Sequence, residues 1–214
     1  MERNIDELKE ALERIEEKLI SAEKVYSAMQ FQIWLVAMIL YYLIISPFRY
    51  VPWQLTATYW ILAFIVFAYF SSRILKRLIN LLGSYGKDMK SSPAFGMGIA
   101  LSWTCGLVIG WVLVPKAISG VMELHQSIAV GFLSFISISV FGMFVTFLYF
   151  AKSFEREMIP AFLIPALTIP TIGSIQVPTI GNIPTSVVYA GLSVGLAFSL
   201  TVLAYLISAF RVIR

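Results

Sequence analysis

The chain has 214 residues, 59% hydrophobic and only 13% charged, with a mean hydropathy of +0.83. Soluble domains are roughly half apolar and about a quarter charged, so the composition excludes an aqueous globular domain and predicts an integral membrane protein. The net charge of +4 reports orientation before it suggests an anionic partner, and a single cysteine excludes a disulfide framework or a Cys-rich metal site.

The first 30 residues, MERNIDELKEALERIEEKLISAEKVYSAMQ, carry eight acidic and five basic side chains on strong helix formers. Ile5, Leu8, Leu12, Ile15 and Leu19 recur at spacings of three and four, and Ala22, Tyr26 and Met29 continue the series. That is the a/d seam of a coiled coil, so residues 1–30 are expected to form a cytoplasmic amphipathic helix and an oligomerisation surface. Neither Pro nor Gly separates it from the apolar run that follows, so one helix is expected to continue into the membrane. The seam has two candidate partners: the same helix of another subunit, or the basic amphipathic RILKRLINLL at 73–82. That basic segment would equally suit an anionic membrane surface.

A spanning helix needs about 20 mostly apolar residues. Residues 31–214 supply six such stretches, at about 31–48, 54–71, 94–115, 126–151, 158–175 and 185–210. With both termini cytoplasmic, fourteen of the sixteen Lys and Arg residues lie on the inner side, and only Arg49 and Lys116 lie outside. Positive residues beside spans resist translocation, which favours this orientation. The expected fold is therefore an all-α integral membrane protein: a six-span bundle in the cell membrane with an N-terminal cytoplasmic helix.

The third span repeats a small residue every four positions: Ala94, Gly98, Ser102, Gly106 and Gly110. The fourth places Ser127, Gly131, Ser134 and Gly142 on one face, and the sixth carries Gly191, Gly195 and Ser199. Small residues at this spacing let helix backbones approach closely in lipid, where packing depends on contact. The same faces would also suit a pore lined by backbone and hydroxyl groups. Cys105, inside the third span, reads as a small buried hydrophobe. The tryptophans and tyrosines at 53, 59, 60, 103 and 111 read as interfacial anchors.

The fifth stretch holds Pro160, Pro165 and Pro170 and is expected to kink. It runs into a near-repeat, IPTIGSI then VPTIGNI, between Ile169 and Ile183. Unpaired backbone cannot face lipid, so this Pro/Gly-rich segment is expected to form an external cap or gate, with Pro170, Gly173, Pro178 and Gly181 as its turn residues. Either an extended polyproline-like chain or a short hairpin fits its pattern.

No span carries an ionisable residue at its centre, which argues against a proton-coupled carrier or voltage sensor. One histidine, His125, with Glu123 beside it, makes neither a haem site nor a metal centre, and both residues read as structural or surface groups. No nucleophile has an activating partner, so no catalytic residue, cofactor or metal is expected and the chain is read as no enzyme. Two functions remain. One is a non-catalytic membrane subunit that anchors or scaffolds a larger assembly, as a homo-oligomer or with other membrane subunits. The alternative is an oligomeric channel or conduit subunit for transport or macromolecule transfer, in which the basic 73–90 connection would meet an anionic cargo such as nucleic acid.

Overall fold

The computed structural model describes residues 2–45, 52–83, 93–175, 179–180 and 183–212. Its helices are α1 (Glu2–Ile45), α2 (Trp53–Gly83), α3 (Pro93–Val108), α4 (Val114–Ile118), α5 (Leu124–Thr146), α6 (Ile159–Thr168) and α7 (Thr185–Val212). Among the described residues six stretches are long and apolar enough to cross a bilayer: Lys9–Ile45, Gln54–Ile74, Ala94–Ile118, Leu124–Phe150, Arg156–Ser174 and Thr185–Val212. The chain is thus predominantly helical, with the apolar helices of a multi-pass membrane protein.

Helix α1 runs unbroken for 44 residues, about 66 Å at the usual rise, because nothing between Glu2 and Ile45 interrupts its backbone bonding. Helix α2 likewise carries straight through RILKRLINLL to Gly83, so that basic stretch is the end of a long helix rather than a separate surface helix. Proline shapes the other spans. Pro115 has no N–H, and its ring would clash with the carbonyl four residues back. A π-helical turn at Ile109–Leu113 precedes it, where the Val114 N–H reaches back to the Ile109 carbonyl, and α4 then continues the span. The fifth crossing is composite: a 3-10 turn at Arg156–Met158, α6 around Pro165, and a 3-10 segment at Ile169–Ser174. At about 1.5 and 2.0 Å per residue these pieces sum to roughly 33 Å, enough for a hydrocarbon core. The Ser137 hydroxyl, on α5, donates to the Phe162 carbonyl at 3.1 Å beside the proline.

Helix α5 is the hub. It is the most buried of the long helices between Ser127 and Thr146, with Leu133 and Ser139 completely enclosed and only Ile128, Phe141 and Val145 exposed. Helix α3 lies along one side of it, antiparallel, while α6 and α7 pack on the other. Helix α1 then clasps α7, and α2 packs on α1. The apolar core joins Phe31, Leu35 and Met38 of α1 to Ala190, Val194, Ala197 and Phe198 of α7 and to the buried face of α5. Helix α2 has a largely exposed apolar surface, including Ile61, Phe64 and Ile65, as a helix at the lipid boundary would. Cys105 is also exposed. This corrects its reading as a buried hydrophobe: one residue is about 100° of helix rotation, so the face that places Gly106 against α5 turns Cys105 away.

The small residues of α3 and α5 interlock. A Cβ added at Gly110 would stand 2.6 Å from the Phe135 backbone, and one at Gly131 would stand 2.6 Å from the Gly110 carbonyl. Gly142 approaches Ser102, and Gly98 approaches Thr146, equally closely. Gly96 has open space in front of it. Gly110→Ala should therefore cost about 2 kcal/mol as an overpacking change, while Gly96→Ala should stay within about 0.5 kcal/mol of the parent. Reversible unfolding of both variants in bicelles measures the difference; equal stabilities would contradict this interface.

Candidate functional site

The residues singled out in the sequence do not converge on one site. Gly98, Ser102, Gly106 and Gly110 all face α5, with Gly106 against Ser139 and the Phe135 carbonyl. Gly191 and Gly195 belong to a different interface: Gly191 takes the ring of Tyr42, and a Cβ at Gly195 would lie 3.8 Å from Leu35. At Gly98, Gly106, Gly110 and Gly191 a neighbour fills the space of the missing side chain, whereas Gly195 stands at ordinary contact distance, and the two sets lie in different interfaces.

Helix α1 is held antiparallel to α7 along a regular register. The Tyr42 hydroxyl donates to the Val187 carbonyl at 2.9 Å, the Phe31 ring meets Phe198 edge-on, and Lys24 Nζ stands 5.4 Å from the ring centre of Tyr205. Among the described residues α7 reaches Val212, about two turns beyond Tyr205, so no described part of it lies alongside α1 before Glu17. There the seam is open: Leu12 is 65% exposed, while Ile15 and Leu19 are half-buried. Ile5 and Leu8 lie on the helix, but their side chains are outside the described residues.

At the opposite end of the bundle the proline segment is only partly described. Pro170 and Gly173 lie in the 3-10 segment, Ile172 is wholly buried, and a Cβ at Gly173 would touch Met122. Strands β1 (Thr179–Ile180) and β2 (Ile183–Pro184) pair antiparallel, Ile180 opposite Ile183, as the hairpin alternative expects for the second half of the repeat, whereas the first half is helical rather than extended. Pro178 and Gly181 lie outside the described residues. Nearby, Glu123 has extended backbone just before α5, which lets its carboxylate reach His125 Nε2 at 2.9 Å. Among the described residues no group of three or more His, Cys, Asp or Glu is placed to hold a metal.

The most distinctive chemistry lies where no sequence motif pointed, at the end of the bundle shared by the N-terminal half of α1 and the end of α7. Past Thr146, α5 finishes in a π-helical turn at Phe147–Ala151, and Lys152 closes it in the left-handed region at φ 51°. That reversal directs the short segment Ser153–Glu157 back over the bundle end. Both its acids are buried, Glu155 at 6% and Glu157 at 5% exposure. Lys24 Nζ, on α1, lies 2.8 Å from Glu155 Oε2 and 3.5 Å from Glu157 Oε1. The Tyr205 hydroxyl donates to Glu155 Oε2 at 3.2 Å, and the Ser153 hydroxyl donates to Oε1 at 2.5 Å. One carboxylate is thus fully partnered by three elements of the fold. The other keeps an oxygen, Glu157 Oε2, without a hydrogen-bond partner.

Beside this cluster opens a cleft of about 410 Å³, lined by Lys24, Phe154, Arg156, Glu157, Ser208 and Arg211 among others. None of the ion pairs among the described residues uses Arg156 or Arg211. A usable signal existed in the sequence. FEREM places two acids directly after an apolar span, in a connection where orientation demands only positive charge.

The arrangement offers fixed charge and hydrogen bonds. Removing one partner of a buried ion cluster leaves uncompensated charge. Lys24→Met should therefore cost about 3 kcal/mol, and the combination Lys24→Met, Glu155→Gln, Glu157→Gln should recover most of it. Unfolding of the three-residue variant checks this; failure to recover would show that the cluster contributes shape rather than charge balance. Compared with known proteins, the chain matches no family model, no curated sequence and no solved structure.

Proposed function

We propose that this chain is a non-catalytic, multi-pass membrane subunit that anchors or scaffolds a larger assembly, with both termini on the cytoplasmic side. The observation that carries the reading is the division of α1. From Lys24 to Tyr42 it is fixed to α7 by a cation–π contact, a ring stack and a tyrosine hydrogen bond, and to the Ser153–Glu157 segment by an ion pair. Before Glu17 it projects with Leu12 uncovered. A helix gripped at one half and carrying an uncovered apolar seam on the other presents a docking surface at a defined position, as an anchor requires. The seam is best satisfied by copies of itself in a homo-oligomer, because its heptad spacing fits a like partner.

The conduit reading has less support. The Gly and Ser faces that would line a path between helices are filled by Phe135, Ser139, Thr146 and Tyr42. Any conduit would have to lie between subunits.

The mass of the protein in nanodiscs tests the proposal. The full chain should give a discrete oligomer, and Leu12→Glu should reduce it to a monomer without loss of thermal stability, since that side chain makes no internal contact worth about 0.5 kcal/mol. A monomeric full chain at micromolar concentration would overturn self-assembly. Ion conductance by the oligomer, lost in Leu12→Glu, would favour the conduit over the scaffold.

A further inference from the structure

We infer that the cleft between α1, the Ser153–Glu157 segment and the end of α7 is a binding site for the headgroup of an anionic phospholipid, a phosphodiester carrying hydroxyl donors. Three observations converge on it.

The first is charge. Lys24, Arg156 and Arg211 line the cleft, with Glu157 in its wall and Glu155 held behind Lys24. The balance is one net positive charge, and the two guanidiniums are exposed and uncommitted among the described residues. Guanidinium forks match phosphate oxygens in geometry as well as charge. A singly charged phosphodiester would neutralise the cleft.

The second is the orphan acceptor. Glu157 is nine-tenths buried, lines the cleft, and keeps Oε2 without a partner. A buried acceptor left unsatisfied is costly, and a bound molecule that brings a donor relieves the cost. A headgroup with free hydroxyls supplies that donor; a quaternary ammonium headgroup does not. Ser208, also in the wall, hydrogen-bonds the Glu157 carboxylate from the α7 side.

The third is location. The cleft opens where the apolar belt ends. Phe154, in its wall, is 62% exposed, and Phe210, next to Arg211 on α7, is 68% exposed. Acyl chains attached to a headgroup in the cleft would lie along such rings. Basic pockets between transmembrane helices on the inner side of a membrane bind anionic headgroups in this way. A freely soluble phosphate ester would make no use of the two exposed phenylalanines.

The test is native mass spectrometry of the full chain released from detergent carrying phosphatidylglycerol or phosphatidylcholine, with sn-glycerol 1-phosphate and inorganic phosphate as soluble competitors. Phosphatidylglycerol should be retained at one per subunit and preferred over phosphatidylcholine, which has the phosphate but no donor. Arg156→Gln with Arg211→Gln should weaken that retention about tenfold while leaving the thermal unfolding temperature unchanged, both side chains being exposed. Lys152→Gln, an exposed basic neighbour outside the cleft, should have no effect. Equal retention of the two lipids, or retention unchanged in the double arginine variant, would overturn the site. Displacement of the lipid by millimolar glycerol phosphate would overturn the lipid occupant and assign the cleft to a soluble phosphate ester. These outcomes are independent of oligomeric mass, so the lipid site and the scaffold reading stand or fall separately.

Discussion

The structure depends on one constraint: inside a bilayer there is no water to drive apolar faces together or to satisfy stray polar groups. Stability must then come from close contact and from hydrogen bonds between helices. The α3–α5 pair answers the first need by removing side chains altogether, so that Gly110 meets the Phe135 backbone and Gly131 meets the Gly110 carbonyl. The α1–α7 pair answers the second, with Tyr42 bonded to the Val187 carbonyl at one end, and Lys24 of α1 and Tyr205 of α7 both bonded to Glu155 at the other. The two interfaces use different chemistry because their helices differ. Helix α3 has a continuous small-residue face, whereas α1 brings aromatic and charged side chains that need partners.

Function follows from how these contacts divide the chain. Everything that α5 gathers is committed to packing. What remains uncommitted lies at the end of the bundle where α1 emerges: the open seam before Glu17 and the cleft beside Glu157. A buried ion cluster between them fixes α1 at the exit point. Lys24 is joined there to the Ser153–Glu157 segment and, through Glu155, to Tyr205 of α7. The left-handed turn at Lys152 is the local strain that makes this possible, because without a sharp reversal the two acids would continue along the axis of α5. The direction of the projecting helix is therefore set by charge as well as by apolar contact.

Much of the architecture was legible in the sequence because span length and small-residue spacing act locally. Five of the six apolar runs agree with the long apolar stretches of the structure to within three residues, the first overlaps the longer stretch Lys9–Ile45, and the spacing of Gly98 to Gly110 marked a contact face. Which helix that face would meet was not legible, since four-residue spacing specifies closeness without a partner. Cys105 was misread because hydrophobicity says nothing of direction; only the rotation that places Gly106 inside shows Cys105 outside. The π-helical turns left no trace beyond Pro115 itself. The buried cluster was missed for a different reason. Charges between spans are ordinarily solvated flanks, and only the fold brings Lys24 to Glu155 across 131 positions of sequence.

The claim on which the rest turns is that α1 lies against α7 of its own chain, fixed along its membrane half and free before Glu17. The most direct measurement is cross-linking of Leu35→Cys with Gly195→Cys in a Cys105→Ser background, using a short bifunctional thiol reagent. A Cβ at position 195 lies 3.8 Å from the Leu35 side chain, so the reagent should close a link within one subunit and leave monomer mass under denaturing conditions. Links formed only between chains, or none at all, would contradict the clasp and with it the position assigned to the projecting seam.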